Sequence, residues 1–210
     1  ALDDVQLSGD VIVVPPSGSI SGLVFDDLNG NGVRDDGEAG LVGRTVSLSG
    51  AGTATTLTTA GGNYSFNNLA NGNYQLCQTV PANWTQTLPV GSGSCSGSAG
   101  LNVSLSSGNN TATARNFGTV LYGSITIINQ TDPAGTLDSS TATLDNINPQ
   151  ILNGGSSYVY RNVLAGTHNL GLTVPAHWYR NGASCTNENN PATITLSAGQ
   201  NISCTFTTTK

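Results

Sequence analysis

Apolar and polar residues alternate with a period of two in short runs along most of this chain. Val46 and Leu48, Tyr64 and Phe66, Tyr74 and Leu76, and Leu101, Val103 and Leu105 are spaced this way. So are Ile125 and Ile127, Ile194 and Leu196, and Ile202, Cys204 and Phe206. Successive side chains of a strand point to opposite faces, so each run predicts a strand with one buried face. Turn clusters separate them, among them Gly50-Ala51-Gly52, Gly61-Gly62-Asn63, Asn71-Gly72-Asn73 and Asn153-Gly154-Gly155. No stretch sustains a helical period. Short strands broken by turns at this spacing predict an all-β protein built of sandwiches.

The pattern repeats. Residues 68–76 match residues 162–170, and Val80-Pro81-Ala82-Asn83-Trp84 matches Val174-Pro175-Ala176-His177-Trp178, all at an offset of 94. Two halves with the same strand, turn, proline and tryptophan in one order are expected to share a fold. At 210 residues the chain has room for two domains of that size. The expected boundary lies near Gly118 to Tyr122, giving domains at 17–120 and 121–210 joined by a short linker. Residues 1–16 stand apart. Val5, Leu7, Val11, Ile12, Val13 and Val14 form a β-prone arm that ends at Pro15-Pro16, where a ladder must stop. Its partner is not visible in the sequence. It either folds onto its own chain or completes the sheet of a neighbour.

Composition narrows the class. Charged residues are only 9% and hydrophobic residues 37%, which argues against a self-repelling disordered chain. Six basic residues, none clustered, and a net charge of −6 leave no electrostatic footprint for nucleic acid or an anionic membrane. The longest apolar run, Val11 to Val14, is far too short to span a bilayer. The sequence begins at Ala1 and contains no methionine, so export with cleavage is expected; simple loss of the initiator is the alternative.

Four cysteines, Cys77, Cys95, Cys185 and Cys204, fall two to each half. None forms a CxxC pair or stands at finger spacing from a histidine. Local disulfides Cys77–Cys95 and Cys185–Cys204 are the economical choice among three connectivities, and four free buried thiols are the alternative. Disulfides would place the chain in an oxidising compartment.

One segment carries chemistry. Residues 27–38 fit the twelve-residue calcium pattern D-x-[DN]-x-[DN]-G-x5-E at every specified position. Asp27, Asn29 and Asn31 are the expected inward ligands, and Gly32 permits the sharp turn. The Val33 carbonyl, Asp35 (directly or through water) and a bidentate Glu38 complete a set of hard oxygen donors. Five of the chain's twelve acids fall between Asp26 and Glu38, where they repel unless a cation is present. Val24 and Phe25 before the loop read as strand, and Gly40 and Gly43 after it do not read as helix. The expected role of Ca2+ is therefore to staple two strands, not to move two helices.

The stretch Gly22 to Leu48, with its loop and the following Leu41-Val42-Gly43, resembles the opening of SdrD B-like domains, calcium-binding members of the Cna-B-type, prealbumin-like Ig superfamily. Residues 62–69, Asn83 to Pro89 and Asn116-Phe117-Gly118 resemble that family in order. The second half, through Ile125 to Asn129, Leu164 to Thr167, Val174 to Trp178 and Cys204 to Thr207, is similar to prealbumin-like or SpaA-like domains. The resemblance implies two tandem Ig-like sandwiches with an N-terminal β arm, and stalk, adhesin or pilin-like roles at microbial surfaces. Many relatives carry a Lys–Asn isopeptide bond; the single lysine here is the last residue, Lys210, which leaves none to form inside either domain.

His168 and His177 align with Tyr74 and Asn83, and read as strand and turn residues. Trp84 and Trp178 read as core or edge packing. Six N-x-[ST] sequons are about what this composition gives by chance. No nucleophile elbow is present, so a non-enzymatic role is expected. The leading expectation is a structural subunit of an extracellular fibre or cell-surface assembly. It would be stabilised by calcium and polymerise with copies of itself by donor-strand insertion of the arm. The alternatives are a monomeric adhesin or stalk segment binding a glycan or host protein, and an accessory pair from a larger enzyme.

Overall fold

The computed structural model describes residues 17–91 and 95–210, and every regular element among them is a strand or a short 3-10 turn. Nine strands occupy the first half: β1 (Gly18–Asp26), β2 (Thr45–Gly50), β3 (Ala54–Leu57), β4 (Asn63–Leu69), β5 (Gly72–Gln78), β6 (Trp84–Leu88), β7 (Leu101–Leu105), β8 (Thr111–Ala112) and β9 (Phe117–Leu121). Nine more occupy the second: β10 (Gly123–Asp132), β11 (Ser140–Leu144), β12 (Ile147–Leu152), β13 (Ser157–Val163), β14 (Gly166–His168), β15 (Leu170–Thr173), β16 (Tyr179–Cys185), β17 (Ile194–Leu196) and β18 (Asn201–Thr209). The fold is all-β, and each alternating run of the sequence lies in a strand.

Strand pairing changes between Leu121 and Gly123. Before it, one sheet runs β4-β1-β9-β6 with β8 beside β1, and another runs β3-β2-β5-β7. After it, the sheets are β13-β10-β18-β16, β12-β11-β15 and the two-stranded β14-β17. Grouped by proximity, residues 17–24, Gly40–Thr79 and residues 95–116 form one compact unit; Phe25–Ala39, Val80–Gly91 and Phe117–Lys210 form the other.

The alternation explains the cores. Val46, Leu48, Tyr74, Leu76 and Val103 are buried in the first sheets, with exposed or half-exposed polar residues between them. Ile125, Ile127, Ile202, Cys204 and Phe206 are buried in the second half, against Leu170, Leu172 and Ile194. β10 and β18 run parallel through nine register pairs, Ser124↔Asn201 to Asp132↔Thr209, joining the two ends of that half. The disulfides are Cys77–Cys95 and Cys185–Cys204. The second links directly paired residues of β16 and β18. The arm residues Val5, Leu7, Val11, Ile12, Val13 and Val14 lie outside the described residues.

Candidate metal centre

The loop of residues 27–38 leaves β1 immediately after Asp26. The backbone anchors both of its ends: Asp26 N–H donates to Ala39 O at 2.9 Å, and Asp27 N–H donates to Thr119 O at 2.8 Å. Gly32 has φ of 75°, and a Cβ there would stand 3.1 Å from Thr87 O, so the sixth loop position has both a conformational and a spatial reason to be glycine.

Asp27 is fully buried, and its two carboxylate oxygens accept N–H bonds from Asn31 (3.1 Å) and Gly32 (2.7 Å). Asn29 Oδ1 accepts from Asn31 N–H at 3.0 Å, and Asn31 Oδ1 accepts from Val33 N–H at 2.7 Å. These contacts wind residues 27–33 into a tight coil around the first, third and fifth positions. Asp35 Oδ2 then accepts from Asn29 Nδ2 (2.8 Å) and Asn31 Nδ2 (2.7 Å). Two amide N–H groups thus stand where positive charge is wanted. Turning either amide about its last side-chain bond presents an oxygen to that space instead, at the expense of the bond its oxygen now makes.

Glu38 closes the loop. It is 6% exposed, its Oε2 accepts Asp35 N–H at 3.0 Å, and its Oε1 is buried with no hydrogen-bond partner. A buried carboxylate oxygen without a partner is costly. A hard cation would satisfy it, and every expected ligand can present an oxygen, although Asn29 and Asn31 here turn their Nδ2 groups toward Asp35. The residues fit calcium on this ground. Among the described residues no three His, Cys, Asp or Glu side chains gather as a metal cluster. The three carboxylates of the expected set, Asp27, Asp35 and Glu38, therefore do not converge as such a cluster here, and the remaining expected ligands are two asparagines and the main chain at Val33. The Val33 side chain itself is exposed.

Lys210 ends beside a carboxylate: its Nζ is 3.0 Å from Asp138 Oδ2, which also accepts Trp178 Nε1–H at 2.9 Å. Both Lys210 and Asp138 are solvent-exposed, so the contact is an ion pair in water. The hydrogen bonds and the lysine charge hold the Asp138 carboxyl below its usual range. In the first half the Tyr64 hydroxyl donates to Arg115 O, and burial pushes its titration upward. Sequence reasoning missed Asp138, because nothing local to Ser139 or Leu137 marks it; its partners are 40 and 72 residues away.

Residues 18–120 match the family model of the SdrD B-like domain. Serine-aspartate repeat-containing protein D of Staphylococcus aureus (strain Newman) is 38% identical over 85 residues, 39% of this chain and 6% of that protein. Serine-aspartate repeat-containing protein F of Staphylococcus epidermidis is 36% identical over 75 residues, 34% of this chain and 4% of that protein. The chain thus spans a small fraction of these relatives. Among solved structures, the Bacillus anthracis TIE protein matches 92% of this chain and 34% of its own at 16% identity, with a TM-score of 0.46. The minor pilin GBS52 of Streptococcus agalactiae matches 92% and 96% at 8% identity, with a TM-score of 0.36. The family match ends at residue 120, and the second half lies outside it.

Proposed function

We propose that this chain, whose residues 18–120 match the SdrD B-like domain model, is a non-enzymatic structural subunit of an extracellular fibre or cell-surface assembly. Calcium at residues 27–38 stiffens it, and the N-terminal arm joins it to further copies of itself. The observation that carries the calcium half of this reading is the buried, unpartnered Oε1 of Glu38 at the end of a loop whose first ligand, Asp27, is fully buried. Asp27, Asn29, Asn31, the Val33 carbonyl, Asp35 and Glu38 would hold the ion. Bound there, it supplies positive charge and nothing reactive. The loop's own residues do the mechanical work: Asp27 clamps the coil through two backbone N–H groups, and Glu38 ties its exit to Asp35.

The load-resisting role rests on the same logic. A ligand that binds only the folded state adds its binding energy to stability, about 2.7 kcal/mol at a hundred times Kd. The two disulfides add chain-entropy staples that need no metal. Polymerisation is supported by the arm's apolar, β-prone sequence ahead of Pro15-Pro16. Two measurements test the reading. Chelation should lower the melting temperature by several degrees and open residues 27–38 to protease; identical melting with and without chelator overturns the calcium site. Electron microscopy of the full chain should show filaments that vanish when residues 1–14 are deleted. Unchanged filaments would remove the arm from the account.

A further inference from the structure

The two main sheets of the second half are unequal, and the shortfall leaves an opening. Four strands, β13-β10-β18-β16, face three, β12-β11-β15. β16 and β15 each end their sheet, and residues of both line one groove. Ala183 of β16 is paired with Phe206 of β18. Directly paired residues share a sheet face. Phe206 is 1% exposed, so that face is the core face; yet Ala183 on the same face is exposed. The core side is therefore covered over β18 and open over β16. The Arg180 guanidinium lies 5.7 Å from the centre of the Phe206 ring and forms part of what cover there is.

A groove of about 430 Å³ occupies this opening. Leu170 and Gly171 of β15 line one side, and Arg180, Gly182 and Ala183 of β16 the other, with Phe206 between them. Leu170 N–H is engaged by Pro191 O at 2.7 Å, but no described strand pairs with the outer edge of β15 or of β16. Residues 190–192, which also line the groove, thus hold the start of the β15 edge, while the β16 edge beside Phe206 is the one open to an added strand. Two glycines among the lining residues keep the walls low.

We propose that this groove receives the N-terminal arm of a second copy of the chain. The inference rests on the arm-mediated assembly read above and assigns its receiving site. Three properties of the arm fit. As a strand, Val5, Leu7, Val11 and Val13 would share one face, with the small Gly9 between them. Ten residues from Val5 to Val14 would extend about 33 Å, more than the roughly 23 Å of seven-residue β16. The arm carries Asp3, Asp4 and Asp10 and no basic residue, while Arg180 forms no ion pair among the described residues.

The test is cross-linking in the full-length chain. Val5, Leu7, Val11 and Val13 are changed to cysteine one at a time, each protein is mixed with a second batch carrying Ala183→Cys, and a short bismaleimide is added. One or two adjacent arm positions should give a dimer band on denaturing gels. Leu57→Cys, beside the 540 Å³ groove of the first half, serves as the control acceptor. Arg180→Glu should weaken assembly roughly threefold to tenfold, the effect of losing one exposed ion pair and replacing it with repulsion. Cross-links to Leu57→Cys but not to Ala183→Cys overturn the assigned groove and leave the arm reading standing. Cross-links that form only when both cysteines are in one chain overturn the second copy as occupant. No cross-link at either site, in a protein whose assembly still needs residues 1–14, rejects this groove alone. Assembly indifferent to residues 1–14 rejects the groove and the arm reading together.

Discussion

The two halves of the chain repeat one turn-and-strand unit with closely similar backbone geometry and support it with different chemistry. Asn68 and Asn162 take φ of 57° and 55°, Gly72 and Gly166 take 151° and 150°, and Asn83 and His177 both take 68°. Trp84 N–H and Trp178 N–H each donate to the proline carbonyl three residues back, at 3.2 Å. Positive φ is costly for most residues and tolerated by glycine and asparagine, so these positions are fixed by backbone need. The side chains hung on that backbone then diverge. Tyr74 Oη donates to Ala70 O at 2.8 Å, while His168, at the equivalent place, sets Nε2 2.9 Å from Leu164 O and Nδ1 2.8 Å from Asp145 Oδ2. His168 is a strand residue, at the end of β14, and its ring has two polar neighbours. The histidine reaches the equivalent carbonyl, Leu164 O, and has a second anchor in Asp145; both are acceptors, so the neutral ring donates to one of them and only the protonated ring to both.

The largest expected contrast is at the tryptophans. Trp178 is 6% exposed and hydrogen-bonded to Asp138, whereas Trp84 is only partly buried. Trp178→Ala should cost roughly 3–5 kcal/mol, the range for deleting a buried aromatic side chain. Trp84→Ala should cost no more than about half of that, because less area returns to water. Urea titrations of the two variants measure this directly. Equal losses would mean that the repeated Val-Pro-Ala-x-Trp segment does the same packing work in both halves, and the contrast drawn here would fail.

What could be read from the sequence divides along the same line as the comparison. Alternation gave the strands of both halves, because one buried face per strand is a local property of the pattern. The offset of 94 pointed to the shared turn, because glycine and asparagine mark most of its positive-φ positions; His177, at φ of 68°, is the one such position that neither marks. The loop at 27–38 stands out in the sequence because its twelve pattern positions are consecutive, and in the structure Asp27 and Glu38 are both buried. Contacts over long separations were not legible. Asp138 to Trp178 and Lys210, and His168 to Asp145, depend on which strands become neighbours, and no local pattern encodes that. The open side of β16 was hidden for the same reason: Ala183 alternates like a core residue, and only the unequal strand counts of the two sheets account for its exposure among the described residues.

A smaller effect sharpens the comparison at the paired positions Tyr74 and His168. Tyr74→Phe removes one hydrogen bond to a backbone carbonyl and should cost about 1 kcal/mol. His168→Leu removes contacts to Leu164 O and Asp145 and should cost somewhat more, about 1–2 kcal/mol, even though Asp145 keeps the N–H of Asn169 at 2.8 Å. Calorimetry on both variants separates the two. A milder loss at His168 than at Tyr74 would show that the second anchor adds nothing.

The smallest effect expected is at Asp138, and its sign is set by linkage. Trp178 Nε1–H and Lys210 hold this carboxyl below its ordinary range in the folded protein, while the unfolded chain restores the usual value of about 3.9. The unfolded state therefore binds the proton more readily. Whatever stability the charged carboxylate contributes is fully present above the unfolded value and is lost as pH falls through the lower folded one. The site is exposed and screened by solvent, so the contribution is modest. Asp138→Asn should melt lower than the parent at pH 7 and converge with it in strong acid. A difference between Asp138→Asn and the parent that stays constant from neutral pH into acid would mean that Trp178 is held there by packing alone, and that the charge at the end of the chain is incidental to the fold.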